Sequence, residues 1–275
     1  MSIKICLDAG HYGKYNRSPA VKTYYESEMN WKLHLLLKKE LESYGIEVIT
    51  TREDRDRDLA LVDRGKASKG CDLFISIHSN AAGSKTNDNV DYPLAIVQLD
   101  GKGNALGEKL ADTVKQIMGC KQNANVWTRR GTYGGEYYGV LWGAANVGTV
   151  GMILEHSFHT CTKMAKWLSD DANLAKLAKA EAKVIAEHFG IEKTFSKNQS
   201  DFSTEHRFLK NGCRGLDVEI VQAILIHRGY NCGKCGTDGI LGRDTEKAIK
   251  LYQQNCEIEA DGVVGPITMS YLSGV

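Results

Sequence analysis

The sequence lacks several features that would settle its class early. It carries no excess of charge of either sign, since 35 Lys and Arg against 34 Asp and Glu leave a formal net charge of +1. That balance argues against broad electrostatic capture of nucleic acid or of an anionic membrane. No apolar run approaches the roughly 20 residues needed to cross a bilayer. The first residues, Met1-Ser2-Ile3-Lys4-Ile5, lack the charged-then-apolar layout of a signal peptide. Gly101, Gly103 and Gly107 do not form a dinucleotide-binding fingerprint. The eight cysteines (Cys6, Cys71, Cys120, Cys161, Cys213, Cys232, Cys235 and Cys256) are scattered. They read as mostly free thiols of a protein made in a reducing cytosol. Cys232 and Cys235 make a C-x-x-C pair near Cys213 and Cys256, but the second pair of a zinc ribbon is missing. Small apolar filling is the commoner use of such cysteines.

What is present is ordinary globular material, 42% apolar and 25% charged. At 275 residues the length suits one domain of moderate size plus a small one. Ile3, Ile5 and Leu7 alternate in a first strand that ends in Asp8-Ala9-Gly10-His11. A helix follows, with Met29, Leu33, Leu36, Leu37, Leu41 and Tyr44 on one face and Gly45 as its C-cap. Glu26 and Glu28 suit the N-terminus of that helix electrostatically. Ile46, Val48 and Ile49 give a second strand, Glu53 to Asp58 a solvated loop, and Leu59 to Gly70 a helix. The apolar run Leu73, Phe74, Ile75 and Ile77 is a buried strand, of the parallel kind, that breaks surface at His78-Ser79-Asn80.

Leu94 to Leu99 is a fourth strand, and Leu106, Leu110, Val114 and Ile117 mark a helix over residues 104 to 118. Gly148 to Glu155 holds another strand, through Val150, Met152, Ile153 and Leu154, ending on Glu155. A last helix of this part runs from about Asp171 to Phe189, with Gly190 as its stop. Strands alternating with helices predict an α/β fold: a twisted, mostly parallel sheet with helices on both faces. Residues 191–206 turn polar and read as a linker. Beyond them, Asp238-Gly239-Ile240-Leu241-Gly242-Arg243-Asp244-Thr245 is echoed by Asp261-Gly262-Val263-Val264-Gly265-Pro266-Ile267-Thr268. Each copy is a turn feeding a helix. With the helix over Leu216 to Gly229, they predict a small C-terminal three-helix domain. The expected domains are therefore 1–190 and 207–275.

Three strands of the larger domain end in His11, His78 and Glu155. Open α/β sheets bind ligands at the carboxyl ends of their strands. A single histidine there more often makes only local hydrogen bonds; the joint occurrence is the signal. Two histidines and a carboxylate around an open fourth position make a catalytic zinc site. His156 should point away from Glu155 by strand alternation, so it and His159 read as packing or supporting groups. His34, along the first helix, is assigned a solvated or packing role. A cysteine–histidine nucleophile finds no support, because Cys6 lies mid-strand and Cys71 just before one, without activating neighbours.

Taken in order, Asp8-Ala9-Gly10-His11, then Glu26 four residues before Asn30, then Ser76-Ile77-His78-Ser79-Asn80, then Leu154-Glu155-His156-Ser157-Phe158 resemble the zinc N-acetylmuramoyl-L-alanine amidases of phage endolysins and bacterial autolysins. The resemblance spans Ile3 to Phe189. Family members often carry a second glycine and a proline around the first histidine, where this chain has Ala9 and Tyr12. The resemblance implies Zn2+ held by His11, Glu26 and His78, with Glu155 as catalytic carboxylate and Asn80 as a substrate contact. Spacing to Asn30 favours Glu26 over Glu28 as the third ligand, the other being left as a helix-dipole carboxylate.

The C-terminal stretch from Arg207 to Leu272 independently resembles the three-helix peptidoglycan-binding domain of wall hydrolases. Leu209 to Gly215, Val221-Gln222, Gly229-Tyr230 and the two Asp-Gly turns carry that likeness. Together the resemblances imply a two-domain enzyme acting on peptidoglycan, with neither nucleic acid nor membrane as partner. It would be made in the cytoplasm and reach the wall after lysis or release. A zinc peptidase cutting within the stem peptide, or a non-catalytic wall-binding protein, are the alternative readings.

Overall fold

The computed structural model describes residues 3–191 and 208–273. The expected linker, apart from Ile191, lies outside those residues. The chain divides into two compact units, Met1–Thr194 and Phe195–Val275.

The first unit is built on six strands. They are β1 (Lys4–Ala9), β2 (Glu47–Thr50), β3 (Leu73–Asn80), β4 (Leu94–Val97), β5 (Asn125–Trp127) and β6 (Val150–Phe158), in the order β2-β1-β3-β6-β4-β5. β1 pairs parallel with β2 and β3, and β3 parallel with β6. β4 runs antiparallel to β6, and β5 follows β4. The sheet is thus mixed, four strands one way and two the other.

The apolar runs are continuous because both faces are covered. Ile5, Leu7, Leu73, Ile75, Ile77, Met152 and Leu154 face a core closed by α1 (Glu26–Glu42), α3 (Asn104–Met118) and α6 (Asp171–His188). The intervening residues, Cys6, Phe74, Ile96 and Ile153, face the other way, against Val140, Leu141 and Ala144 of α4 (Gly139–Asn146). On that face α2 (Leu61–Lys66) crosses α4 at van der Waals contact of their backbones. A Cβ on Gly65 would stand 2.0 Å from the Val140 carbonyl oxygen, and one on Gly143 would stand 2.1 Å from that of Val62. Only glycine fits at that crossing.

The sequence and the structure differ at a few places. α1 ends on Ser43 as C-cap, and Gly45 follows two residues later with φ +76°. The helix expected over Leu59 to Gly70 is only α2, and the expected strand to Leu99 stops at Val97. β5, α4 and α5 (Thr162–Leu168) were not predicted. β5 is three residues long, and α4 is apolar almost all round, so neither shows a period to read.

In the second unit, α7 (Leu216–His227), α8 (Arg243–Asn255) and α9 (Pro266–Ser273) enclose Leu209, Val218, Val221, Leu225, Leu241, Ile249 and Tyr252. The sequence echo is also an echo of hydrogen bonds. Gln222 donates through Nε2 to Asp238 Oδ1 (2.9 Å), the Ile240 carbonyl (3.1 Å) and Thr245 Oγ1 (3.0 Å), and accepts from the Gly239 amide (2.9 Å). Gln253 does the same with Asp261 (2.8 Å), Val263 (3.0 Å), Thr268 (3.1 Å) and Gly262 (2.8 Å). One buried glutamine therefore satisfies each turn that feeds a helix.

Candidate metal centre

The carboxyl ends of β1, β3 and β6 meet at one edge of the sheet, because all three strands run the same way. β1 delivers His11. The turn after it is tight: His11 has φ +60°, a left-handed conformation that residues other than glycine rarely adopt. Its carbonyl groups are held from outside. Arg64 donates to the carbonyls of Ala9 (3.0 Å) and His11 (3.2 Å), Arg52 also donates to both, and Asn30 donates to Gly10 (3.0 Å). Arg52 and Arg64 are 5% and 2% exposed. They are unusually deep for arginines, and these bonds account for their depth.

Glu26 enters as the first residue of α1 and is 2% exposed. Its Oε1 lies 2.9 Å from His78 Nδ1 and its Oε2 3.4 Å from His11 Nε2. The two imidazoles meet edge to face with centroids 5.0 Å apart. One donor atom from each of His11, Glu26 and His78 lies within 4.8 Å of the others. Burial pushes the Glu26 carboxyl up, but hydrogen bonds from His11 and His78, and their charge, outweigh it and hold Glu26 well below the usual carboxylate range. Two imidazoles around a buried carboxylate are the donor chemistry that zinc takes. Among the described residues, this is the one such cluster. Cys213, Cys232, Cys235 and Cys256 form none, and their thiols are free.

Further groups close around Glu26. Asn16, itself left-handed at φ +53°, donates to Glu26 Oε2 at 2.7 Å, and the Ser79 amide donates to Oε1 at 3.1 Å. Ser79 Oγ contacts Tyr24 Oη (2.7 Å) and His159 Nδ1 (3.0 Å). His159 sits 3.9 Å from Glu26 Oε2, and burial pushes its pKa down. Neither Asn16 nor Tyr24 carries a sequence signal, since both reach the site through the loop before α1. Glu28, in the same first turn, is not among these donors.

Glu155 lies on β6 directly opposite His78 on β3. Its Oε2 is buried without a hydrogen-bond partner. No basic residue among those described pairs with that oxygen. Burial first, and then the charge of Glu26, push its pKa well above the usual carboxylate range. A carboxyl group poised toward neutrality can both take and give a proton. His156, next along, turns away as strand alternation requires. Its Nε2 lies 2.8 Å from Glu181 of α6 and its Nδ1 2.9 Å from the His78 carbonyl. Asn80 ends β3 outside the donor cluster, its Oδ1 accepting from the Ala81 amide at 2.8 Å.

Residues 5–187 match the family described as N-acetylmuramoyl-L-alanine amidase, and residues 214–272 match that described as "Putative peptidoglycan binding domain". A "Probable N-acetylmuramoyl-L-alanine amidase" of Bacillus licheniformis is 30% identical over 107 residues, which is 39% of this chain. The matched stretch spans 30% of the length of that curated relative. The catalytic domain of CwlV, an N-acetylmuramoyl-L-alanine amidase from Bacillus (Paenibacillus) polymyxa var. colistinus, superposes with a TM-score of 0.58 at 21% identity. That match covers 69% of this chain and 99% of that one. The CwlD amidase of Clostridioides difficile, solved with the GerS lipoprotein, gives 0.58 at 22% identity over 70% and 100%. These likenesses show that the first unit has the fold of an amidase catalytic domain.

Proposed function

Since the chain belongs to the N-acetylmuramoyl-L-alanine amidase family, we propose that it hydrolyses the amide bond between N-acetylmuramic acid and L-alanine in peptidoglycan, with zinc as cofactor. The observation that carries this reading is the donor cluster of His11, Glu26 and His78 beside Glu155, which lies opposite His78 in the sheet register and has its Oε2 buried without a partner. His11, Glu26 and His78 would hold the metal, which leaves a fourth position open. Bound there, zinc supplies a Lewis acid for the amide carbonyl and a nucleophilic water at neutral pH.

The protein's own groups do the rest. Glu155 takes a proton from the attacking water as its oxygen adds to the carbonyl carbon. It then gives that proton to the alanine nitrogen as the carbon–nitrogen bond breaks, so the products are a lactyl carboxylate and a free amino terminus. The Ser79 amide and Asn16 hold Glu26 in place by donating one hydrogen bond to each of its oxygens. Asn80, at the rim, is assigned to substrate.

The C-terminal unit, matching a peptidoglycan-binding family, would keep the enzyme on polymeric wall and raise its local concentration there. On this reading the cell wall is the place of action, reached after lysis or release. Among the described residues, no helix is long and apolar enough to cross a membrane.

Mass analysis of fragments released from purified walls tests the proposal. Muramic acid free of peptide, together with peptides beginning at L-alanine, is the expected result. Cuts within the stem peptide would make it a peptidase. Intact walls with bound protein would make it a binding protein.

A further inference from the structure

We infer that His78 presents Nδ1 to the metal, and that Ser76 and Asp8 hold it in the tautomer this requires. The inference deepens the metal-site reading above and rests on it. Asp8 on β1 and Ser76 on β3 are directly opposed in the parallel register, and His78 follows Ser76 by two residues on the same face of β3. The three side chains therefore form a row dictated by strand geometry. Asp8 and Ser76 are each 0% exposed.

The row has a direction. Ser76 Oγ lies 3.1 Å from His78 Nε2 and donates to Asp8 Oδ2 at 2.7 Å. A serine hydroxyl has one proton, and Asp8 takes it, so toward His78 the Oγ can only accept. Nε2 must then carry a hydrogen in either charge state of the ring, so Nδ1 is the nitrogen whose proton a metal can displace. Nδ1 is the nitrogen turned to Glu26 Oε1 at 2.9 Å. Turning the hydroxyl round would leave Asp8 Oδ2 buried without its donor, a costly state.

Asp8 is itself fixed. Its Oδ1 accepts from Thr51 Oγ1 at 2.6 Å and from Arg64 at 3.2 Å. Arg64 also holds the Ala9 and His11 carbonyls, so one buried guanidinium fixes both Asp8 and the turn that bears His11. Ser76 and Asp8 are thus positioning residues. They act through the orientation and basicity of His78, as outer partners of metal-ligating histidines do.

The test uses the full chain with nitrogen-15-labelled histidine, loaded with cadmium-113 in place of zinc. Metal–nitrogen coupling at His78 Nδ1, with a proton on Nε2, is expected. Coupling at Nε2 would overturn the inference and leave the ligand set standing. No coupling at either nitrogen of His78 would overturn both. A second measurement compares zinc dissociation constants of folded variants. Ser76→Ala should weaken zinc by about 10–100-fold, and Ser76→Thr, which keeps the hydroxyl, should restore most of that. A Ser76→Ala affinity equal to that of the unaltered chain would overturn the role of Ser76. Where Ser76→Ala does not fold, the coupling measurement decides alone.

Discussion

Gly10 and His78 share one space: a Cβ on Gly10 would stand 2.3 Å from both Nε2 and Cε1 of the imidazole. The glycine before the first histidine therefore exists to admit the second. Its φ is not in the left-handed region, so the constraint is contact and not backbone freedom. Gly10→Ala can be accommodated only if the His78 ring turns out of its place between Ser76 and Glu26. The expected outcome is a folded protein whose zinc affinity falls by about tenfold or more, with lysis falling in parallel. Equilibrium dialysis beside circular dichroism checks it; unchanged zinc affinity in the Gly10→Ala variant would mean that the ring's position is not critical.

Glu26 and Glu28 separate cleanly by exposure and contact. Glu26 is buried against both histidines, whereas Glu28 is only half-buried in the same helical turn. Glu26→Gln should lose bound zinc, since a neutral amide is a poor ligand beside two imidazoles. Glu28→Gln should retain zinc and lose at most about 1 kcal/mol of helix-dipole stabilisation. Zinc content by elemental analysis of the two purified variants decides, and a reversed pattern would reassign the ligand.

The parallel heart of the sheet was legible because β1, β3 and β6 are buried on both faces, which makes each an unbroken apolar run ending abruptly in polar residues. That ending is also why His11, His78 and Glu155 stood out. The direction of β4 was not legible, because an apolar run such as Leu94 to Val97 reads the same whichever way it pairs. Arg52 and Arg64 were missed for a related reason. They flank a run of solvated charges, and nothing local distinguishes an arginine in water from one that caps the carbonyls of a distant turn. Asn16 and Ser79 reach Glu26 only once the loop before α1 is closed, a tertiary fact with no periodicity behind it. Glu26 itself, at a helix start, needed the ordered family pattern to single it out from Glu28.

His34 makes a pH prediction away from the metal centre. It is 2% exposed on α1, packs on Trp31 with centroids 4.4 Å apart, and bonds the Trp31 carbonyl through Nδ1. The solvated role is thereby excluded and the packing role stands. Burial pulls its pKa down from 6.5 to about 4. The folded state therefore resists a proton that the unfolded chain accepts. The stabilisation is complete above the unfolded value of 6.5 and is lost as the pH falls from there toward 4. Between about pH 7.5 and pH 5 the loss should be about 2 kcal/mol. His34→Asn keeps a donor near the carbonyl and cannot titrate in this range, so urea unfolding should show it losing correspondingly less. Equal losses in the two proteins would remove His34 as a cause of acid sensitivity.

The last prediction concerns Glu155, whose position separates a proton carrier from a ligand. Three donors already surround the proposed metal position, the usual number when a fourth must stay open. Glu155 stands opposite His78 with a buried oxygen that nothing among the described residues satisfies. Leaving such a group unpaired costs stability, and a site that retains it keeps it for the substrate and its water. Glu155→Gln preserves size and hydrogen-bonding capacity but cannot accept a proton. Relief of the repulsion from Glu26 should leave the variant at least as stable as the parent, because the substitution removes one of two facing carboxylates. Zinc content and wall binding should be retained, while turnover falls by about a hundredfold or more, the range for a removed general base. Release of new L-alanine amino termini from purified walls, measured beside zinc content, separates the possibilities. Loss of metal together with activity would make Glu155 a ligand. Near-normal release by a folded, zinc-loaded variant would pass the proton-transfer role to His159, which among the described residues is the remaining histidine within 4 Å of Glu26 that is not a proposed ligand.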